Sequence, residues 1–276
     1  DLDQDLTMEN QDLNITIVQT SLEWENKTKN LLHIEELLAA KKPQTDLIIL
    51  PEMFSTGFSM NAPKLAETSS GKTLAWLRKL AKVYNCVVTG SFITEEDGRY
   101  YNRLYWVPEN GDVSTYDKRH LFSFANEEAH YSAGNKRIIV ELKGWRICPL
   151  ICYDLRFPVW SRNADDSGFS KPHVYDLLIY VANWPEAREK PWSNLLEARA
   201  HENQVYVAGV NRVGKDGNGI KHSGASAIYN PKGEKLSRTL NHQETVETTS
   251  LSVDELDAFR KKFTVWKDKD SFSIDC

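Results

Sequence analysis

Cysteine is scarce in this chain. Four of 276 residues are Cys (Cys86, Cys148, Cys152 and Cys276), and no two form a Cys-x-x-Cys pair. That excludes a disulfide framework or a zinc ribbon, and a domain of this length buries a full core without such staples. Cys148 and Cys152 stand four apart in an extended segment, on one face but too distant to bridge readily. A reducing cytoplasm is the expected compartment. The seven histidines are scattered without ligand spacing, so no metal or other cofactor is expected.

Positive charge is not in excess either. The 34 Lys and Arg stand against 39 Asp and Glu, for a net charge of −5 and no basic stripe. Nucleic acid is therefore not an expected partner. No apolar run approaches the roughly 20 residues of a membrane span, so no membrane partner is expected. No repeat, low-complexity tract or linker splits the chain. Residues 14–262 read as a single domain, between a polar N-terminal tail (1–13) and a polar C-terminal tail (263–276).

Within that domain the hydrophobic pattern is clear. Asn14 to Gln19 alternates and is rich in β-branched residues, as a first strand should be. Trp24 to Ala40 carries apolar residues at helical spacing and ends before Pro43. Asp46 to Leu50, Cys86 to Phe92, Trp145 to Ile151 and Asp176 to Ala182 are nearly continuous apolar strands, the pattern of sheets covered on both faces. Tyr100 to Val107 and Val113 to Tyr116 predict an antiparallel pair joined through Asn110-Gly111. Strands are also expected over Arg137 to Leu142, Val205 to Val210, Ser223 to Tyr229 and Thr245 to Leu251. Helices are expected over Gly71 to Tyr84, Trp192 to Asn203 and Val253 to Lys262, and a surface excursion over Asn163 to His173. Strands alternate with helices, yet also occur in runs. The pattern fits one α/β domain, a four-layer α-β-β-α sandwich.

Three of the strands end in a reactive group. Leu50 leads to Pro51-Glu52, Tyr116 to Asp117-Lys118, and Ile151 to Cys152. Each alone has a duller reading: a solvated carboxylate, a surface ammonium, a core thiol. In open α/β sheets, however, sites form at the carboxyl ends of strands. A Glu, a Lys and a Cys brought together supply a base, an oxyanion stabiliser and a nucleophile, with the backbone N–H of Tyr153 as a further oxyanion donor. Arg146 to Pro158 reads as a strand that delivers Cys152 to a sharp turn, with a short helix starting near Arg156. Free N–H groups and a helix dipole there are expected to lower the thiol pKa.

Leu50-Pro51-Glu52, Asp117 to Phe122 and Ile151 to Pro158 resemble, in order and broad spacing, three signature blocks of the nitrilase superfamily of carbon–nitrogen hydrolases. Ala198 to Val207 and Ser226 to Glu234 extend the resemblance, which runs from about Ile15 to beyond Glu234. It implies a nitrilase-like sandwich, a homodimer formed through outer helices, and a triad of Glu52 as general base, Lys118 as oxyanion stabiliser and Cys152 as nucleophile. It further implies a supporting glutamate after the lysine. Here Glu127 and Glu128 are adjacent; the count back from Gly134-Asn135 favours Glu127 and leaves Glu128 open.

Asn183-Trp184-Pro185, Trp192 to Leu196, Gly209 to Gly214 and Asp216 to Gly219 are similar to the omega-amidase branch. That implies hydrolysis of the terminal amide of 2-oxoglutaramate or 2-oxosuccinamate to ammonia and the 2-oxo dicarboxylate. Such a substrate carries a carboxylate and needs a cation. Arg156 is the first candidate, with Arg119 and Arg212 in reserve; the alternative is that Arg156 pairs with Asp154. Phe58, Phe122, Phe124, Tyr153 and Trp184 are candidate pocket walls. Two rivals stand beside this reading. One is an N-carbamoyl amino acid amidohydrolase or nitrile hydrolase on the same triad. The other is a catalytically silent binding or assembly module.

Overall fold

The fold comes from a computed structural model of the chain, which describes residues 11–164 and 172–274. Thirteen strands are formed among the described residues. The first five are β1 (Leu13–Gln19), β2 (Leu47–Ile49), β3 (Val87–Glu96), β4 (Arg99–Val107) and β5 (Ser114–Asp117). Next come β6 (Val140–Leu142), β7 (Trp145–Ile151), β8 (Leu177–Ala182) and β9 (Tyr206–Asn211). The last are β10 (Val213–Lys215), β11 (Lys221–Ser223), β12 (Ala227–Tyr229) and β13 (Thr245–Leu251). The helices are α1 (Lys27–Lys41), α2 (Ala62–Leu65), α3 (Lys72–Tyr84), α4 (Pro158–Ser161), α5 (Glu189–Asn203) and α6 (Val253–Lys262).

Two large sheets result. One has the order β13-β1-β2-β3-β4-β5, the other β12-β9-β8-β7-β6, and β10-β11 forms a separate hairpin. The period of two along each strand decides which layer its side chains join. Ile15 and Ile17 of β1 and Leu47 and Ile49 of β2 enter one core with Ile147 and Leu150 of β7, between the sheets. Their neighbours Val18 and Ile48 face the other way, against Ile34 and Leu38 of α1 and Leu77 and Leu80 of α3. Beyond the second sheet, the inter-sheet core continues to Trp192 and Leu196 of α5. The layers are α-β-β-α, as expected. Each fully buried Leu or Ile contributes about 1.5–3 kcal/mol, which fixes the strand registers firmly.

Several boundaries differ from the sequence reading. Leu13 is no tail residue: it opens β1, pairs with Leu251 and is buried. The hairpin between β3 and β4 is longer than expected, because Asp97 and Gly98 both take positive φ (51° and 74°) and close it in two residues. The stretch from Ser223 to Tyr229 is not one strand; Gly224 and Ala225 at φ 81° and 50° break it into β11 and β12. Asn163 is not on the surface. It is buried, and its side chain bonds the backbone of Val174, Tyr175 and Asn203. Most of the excursion that follows it, and Cys276, lie outside the described residues. After α6 the chain forms a 3-10 turn at Val265–Asp268, and Trp266 meets the His173 ring at 5.9 Å.

Candidate active site

Strands β2 and β3 of one sheet run parallel, as do β7, β8 and β9 of the other. The sites that follow β2, β5, β7 and β8 meet between the sheets. Glu52 and Lys118 come from the first sheet, Cys152 and Asn183 from the second. The chemistry therefore lies across the seam of the sandwich.

Glu52 is fully buried. Its Oε1 accepts from Lys118 Nζ at 3.0 Å and from Asn102 Nδ2 at 2.8 Å, and its Oε2 accepts from the Asn183 N–H at 2.8 Å. The Asn183 side-chain amide also donates to the Glu52 carbonyl. Lys118 is 1 % exposed and reaches a second carboxylate, Glu127 Oε2, at 2.9 Å. Two of its three N–H donors are thus used. The Phe58 ring lies 5.1 Å from the same ammonium.

Glu127 sits in a short 3-10 turn (Glu127–Ala129) with none of its surface exposed; it also accepts the Phe122 N–H at 2.6 Å. Glu128, its neighbour, is exposed. The loop that carries Glu127 is held against β5 by the Gly134 N–H, which donates to the Lys118 carbonyl at 2.9 Å. Only glycine permits that approach, because a Cβ at position 134 would collide with the Asp117 carbonyl oxygen. Two carboxylates around one ammonium leave an excess of negative charge. Burial, with the Glu52 carboxylate adding to it, raises the Glu127 pKa above the ordinary value of 4.5 although Lys118 opposes the shift.

Cys152 directly follows β7 and takes φ 43°, a left-handed conformation that a non-glycine residue adopts only under constraint. The constraint is visible. A 3-10 turn begins at Cys152 itself and runs to Arg156, and the short helix expected near Arg156 starts two residues later, as α4 at Pro158. Asp154 braces the elbow: it accepts from the Ile151 N–H at 3.0 Å, the Tyr116 hydroxyl at 2.7 Å and the His120 N–H at 3.0 Å. Arg199 of α5 donates to the Leu155 carbonyl at 2.6 Å.

The expected lowering of the thiol pKa does not occur. Burial and the Glu52 carboxylate push the Cys152 thiol well above its ordinary value, although Lys118 and the Asn183 N–H pull the other way. A turn of five residues has too short a dipole to reverse this. The resting group is a thiol, kept neutral by burial and by the nearby Glu52 carboxylate. Its rate of alkylation by iodoacetamide should climb steeply with pH above about 8, with no plateau near neutrality. A plateau at pH 6–7 would show a resting thiolate and contradict this. Cys148 is fully buried, with its pKa pushed up to about 12 by burial, and stays in the core.

The remaining candidates divide. Tyr153 is half-buried, its ring 5.0 Å from Phe122. Trp184 is buried, and its backbone is held by both ends of the Asn211 amide. Arg156 is exposed and lies 5.1 Å over the Trp184 ring; the Asp154 carboxylate is engaged elsewhere, so the two do not pair. Arg119 lies over Trp160 instead, at 5.2 Å. Arg212 does not qualify as a reserve anchor: it is fully buried, bonds the carbonyls of Leu22, Val213 and Lys215, and burial lowers its pKa to about 10. Phe124 is 83 % exposed and walls nothing by itself. Two broad hollows, of about 570 and 610 Å³, are lined from around α6 and include none of these residues.

Asn102 and Asn183 carry functional contacts that the sequence reading did not assign. Asn183 had the same signal as the triad, a polar residue closing an apolar strand. Asn102 lies inside β4, where its neighbours in the sequence give no hint of its partner.

A four-layer sandwich with a buried Cys, Glu and Lys meeting at its seam defines a hydrolase of nitrilase type. Carbon–nitrogen hydrolase is the family whose model matches, over residues 14–261, and the chain belongs to that family. It is 45 % identical to the omega-amidase YafV of Escherichia coli K12 over 262 residues, covering 95 % of this chain and 98 % of that protein. It is 30 % identical to the 2-oxoglutaramate amidase of Bacillus subtilis, over 92 % of this chain and 96 % of that one. Among solved structures, the CN-hydrolase superfamily protein XC1258 of Xanthomonas campestris, which carries an arsenic adduct in its active site, superimposes with a TM-score of 0.92. The two share 43 % identity, with 96 % of this chain and all of that one covered.

Proposed function

We propose that this protein is an omega-amidase. It hydrolyses the terminal amide of a 2-oxo acid amide, 2-oxoglutaramate or 2-oxosuccinamate, through a thioester on Cys152. The observation that carries the reading is the buried contact of Glu52 with Lys118, both of whose charges act on the Cys152 thiol, in a chain 45 % identical to an omega-amidase. Glu52 takes the thiol proton as sulfur attacks the amide carbon, so thiolate forms only with substrate in place. The third donor of Lys118 and the Tyr153 N–H stabilise the oxyanion. Glu52 returns the proton to departing ammonia, then takes one from the water that cleaves the thioester. Glu127 helps hold Lys118 in position beside Glu52. Arg156 meets the substrate carboxylate, and Phe58, Phe122 and Trp184 wall the acyl pocket.

Free, buried Cys86, Cys148 and Cys152 suit a reducing cytoplasm. A homodimer is proposed through the outer helices, where Leu32 of α1 and Val83 of α3 are exposed. The decisive measurement is ammonia release from 2-oxoglutaramate, N-carbamoyl amino acids and simple nitriles. The keto-acid amide is expected to give the highest kcat/KM by at least about tenfold. A better carbamoyl or nitrile substrate would transfer the assignment to that class.

A further inference from the structure

Arg188 follows β8 in the loop that begins with Asn183-Trp184. Its guanidinium lies 5.4 Å over the Phe122 ring and 5.5 Å over Phe124. Phe122 touches the ring of Tyr153, the residue after the nucleophile, at 5.0 Å. On its other side, the Arg188 carbonyl accepts from Trp184 Nε1 at 2.6 Å, and Trp184 carries Arg156 at 5.1 Å. A path of contacts that starts at Tyr153, beside Cys152, and passes through Phe122, Arg188 and Trp184 therefore joins two guanidiniums. Neither has a carboxylate partner among the described residues. The acids nearest Arg188 in sequence face elsewhere: Glu186 pairs with His242 at 3.2 Å, and Glu189 accepts from Asn241 at 2.9 Å.

From this arrangement we propose that Arg188 is a second specificity-determining residue, which shares the acid end of the substrate with Arg156. The inference rests on the amidase reading above. Its physical basis is the division of labour in a guanidinium. The face stacks on an aromatic ring, while the N–H donors point outward along the rim and remain free for oxygen acceptors. One fork takes two carboxylate oxygens. A 2-oxo acid offers a third oxygen, the keto group, beside the carboxylate, and a second cation at the same rim answers it. The competing role is purely structural. Through Phe122 and Phe124, Arg188 would only latch the loop after Lys118 to the loop after β8.

Steady-state kinetics on the full chain separate the two roles. Arg188→Met and Arg188→Lys are compared with the unaltered enzyme on 2-oxoglutaramate and on pentanamide, a neutral amide of the same length. Arg188→Met should raise KM for 2-oxoglutaramate about tenfold or more and change KM for pentanamide less than about twofold. Arg188→Lys keeps the charge without the fork and should fall between. If the Met variant fails to fold by thermal melting, a KM rise confined to the charged amide in the Lys variant supports the proposal. Equal losses on both amides would mark Arg188 as a latch and overturn it, as would no loss on either. An unaltered enzyme that does not prefer 2-oxoglutaramate would overturn the amidase reading together with this inference. An undiminished preference in Arg188→Met would overturn this inference alone.

Discussion

Cys152→Ala is expected to give a folded protein whose amide hydrolysis is lost by on the order of 10⁴-fold or more, because no other group can form the covalent intermediate. Cys86 and Cys148 are buried in the sheets, and burial pushes both thiols up to about 12, so neither substitutes for it. The fold should be unharmed. Cys152 is 8 % exposed, and the elbow is held by Asp154 and Arg199 rather than by the thiol. Intact-mass analysis after rapid acid quenching should find an acyl adduct on the unaltered protein and none on the variant. A protein that never acylates with any amide, yet folds and assembles, would instead be a silent binding module.

The second large effect is on stability as well as rate. Lys118→Met should lower the melting temperature at pH 8 by on the order of 10 °C. Removing one partner of a buried ion pair typically costs about 3–5 kcal/mol, because the remaining charge is stranded. Here two carboxylates are stranded, Glu52 and Glu127, each fully buried. The pH dependence gives a sharper check. Glu127 already has a folded pKa above its ordinary value of 4.5. Between those two values the folded state binds more protons than the unfolded chain, so this group's contribution is fully present below 4.5 and is lost as pH rises. Without Lys118 the folded pKa rises further and the window widens. The loss in melting temperature should therefore be clearly smaller at pH 5 than at pH 8. Equal melting temperatures for variant and unaltered protein at pH 8 would mean that Lys118 is not ionised in the cluster. Activity should fall with stability, since the oxyanion loses its cation.

Much of this was legible in the chain. Ile15 and Ile17 alternate with Thr16 and Val18, so the strand and its two faces follow from period alone. Leu47 to Leu50 and Leu177 to Ala182 lack alternation, which places them in sheets covered on both sides. Glu52, Lys118 and Cys152 each stand where such a strand ends. The elbow was less legible. Its sequence suggests an activated thiolate, but the pKa of Cys152 depends on how deeply it is buried and on a carboxylate one hundred residues away in the chain.

The local order of residues determined the elements, the layer each side chain faces, and the identity of the reactive groups, because periodicity and strand termination are short-range properties. Which of two adjacent glutamates turns inward, which asparagines bind Glu52, and which arginines remain without an acid were decided only when two sheets closed face to face. That closure sets burial and long-range distance, and these control charge. Glu127 is buried against Lys118 while Glu128 faces solvent, although in the sequence the two differ only by position.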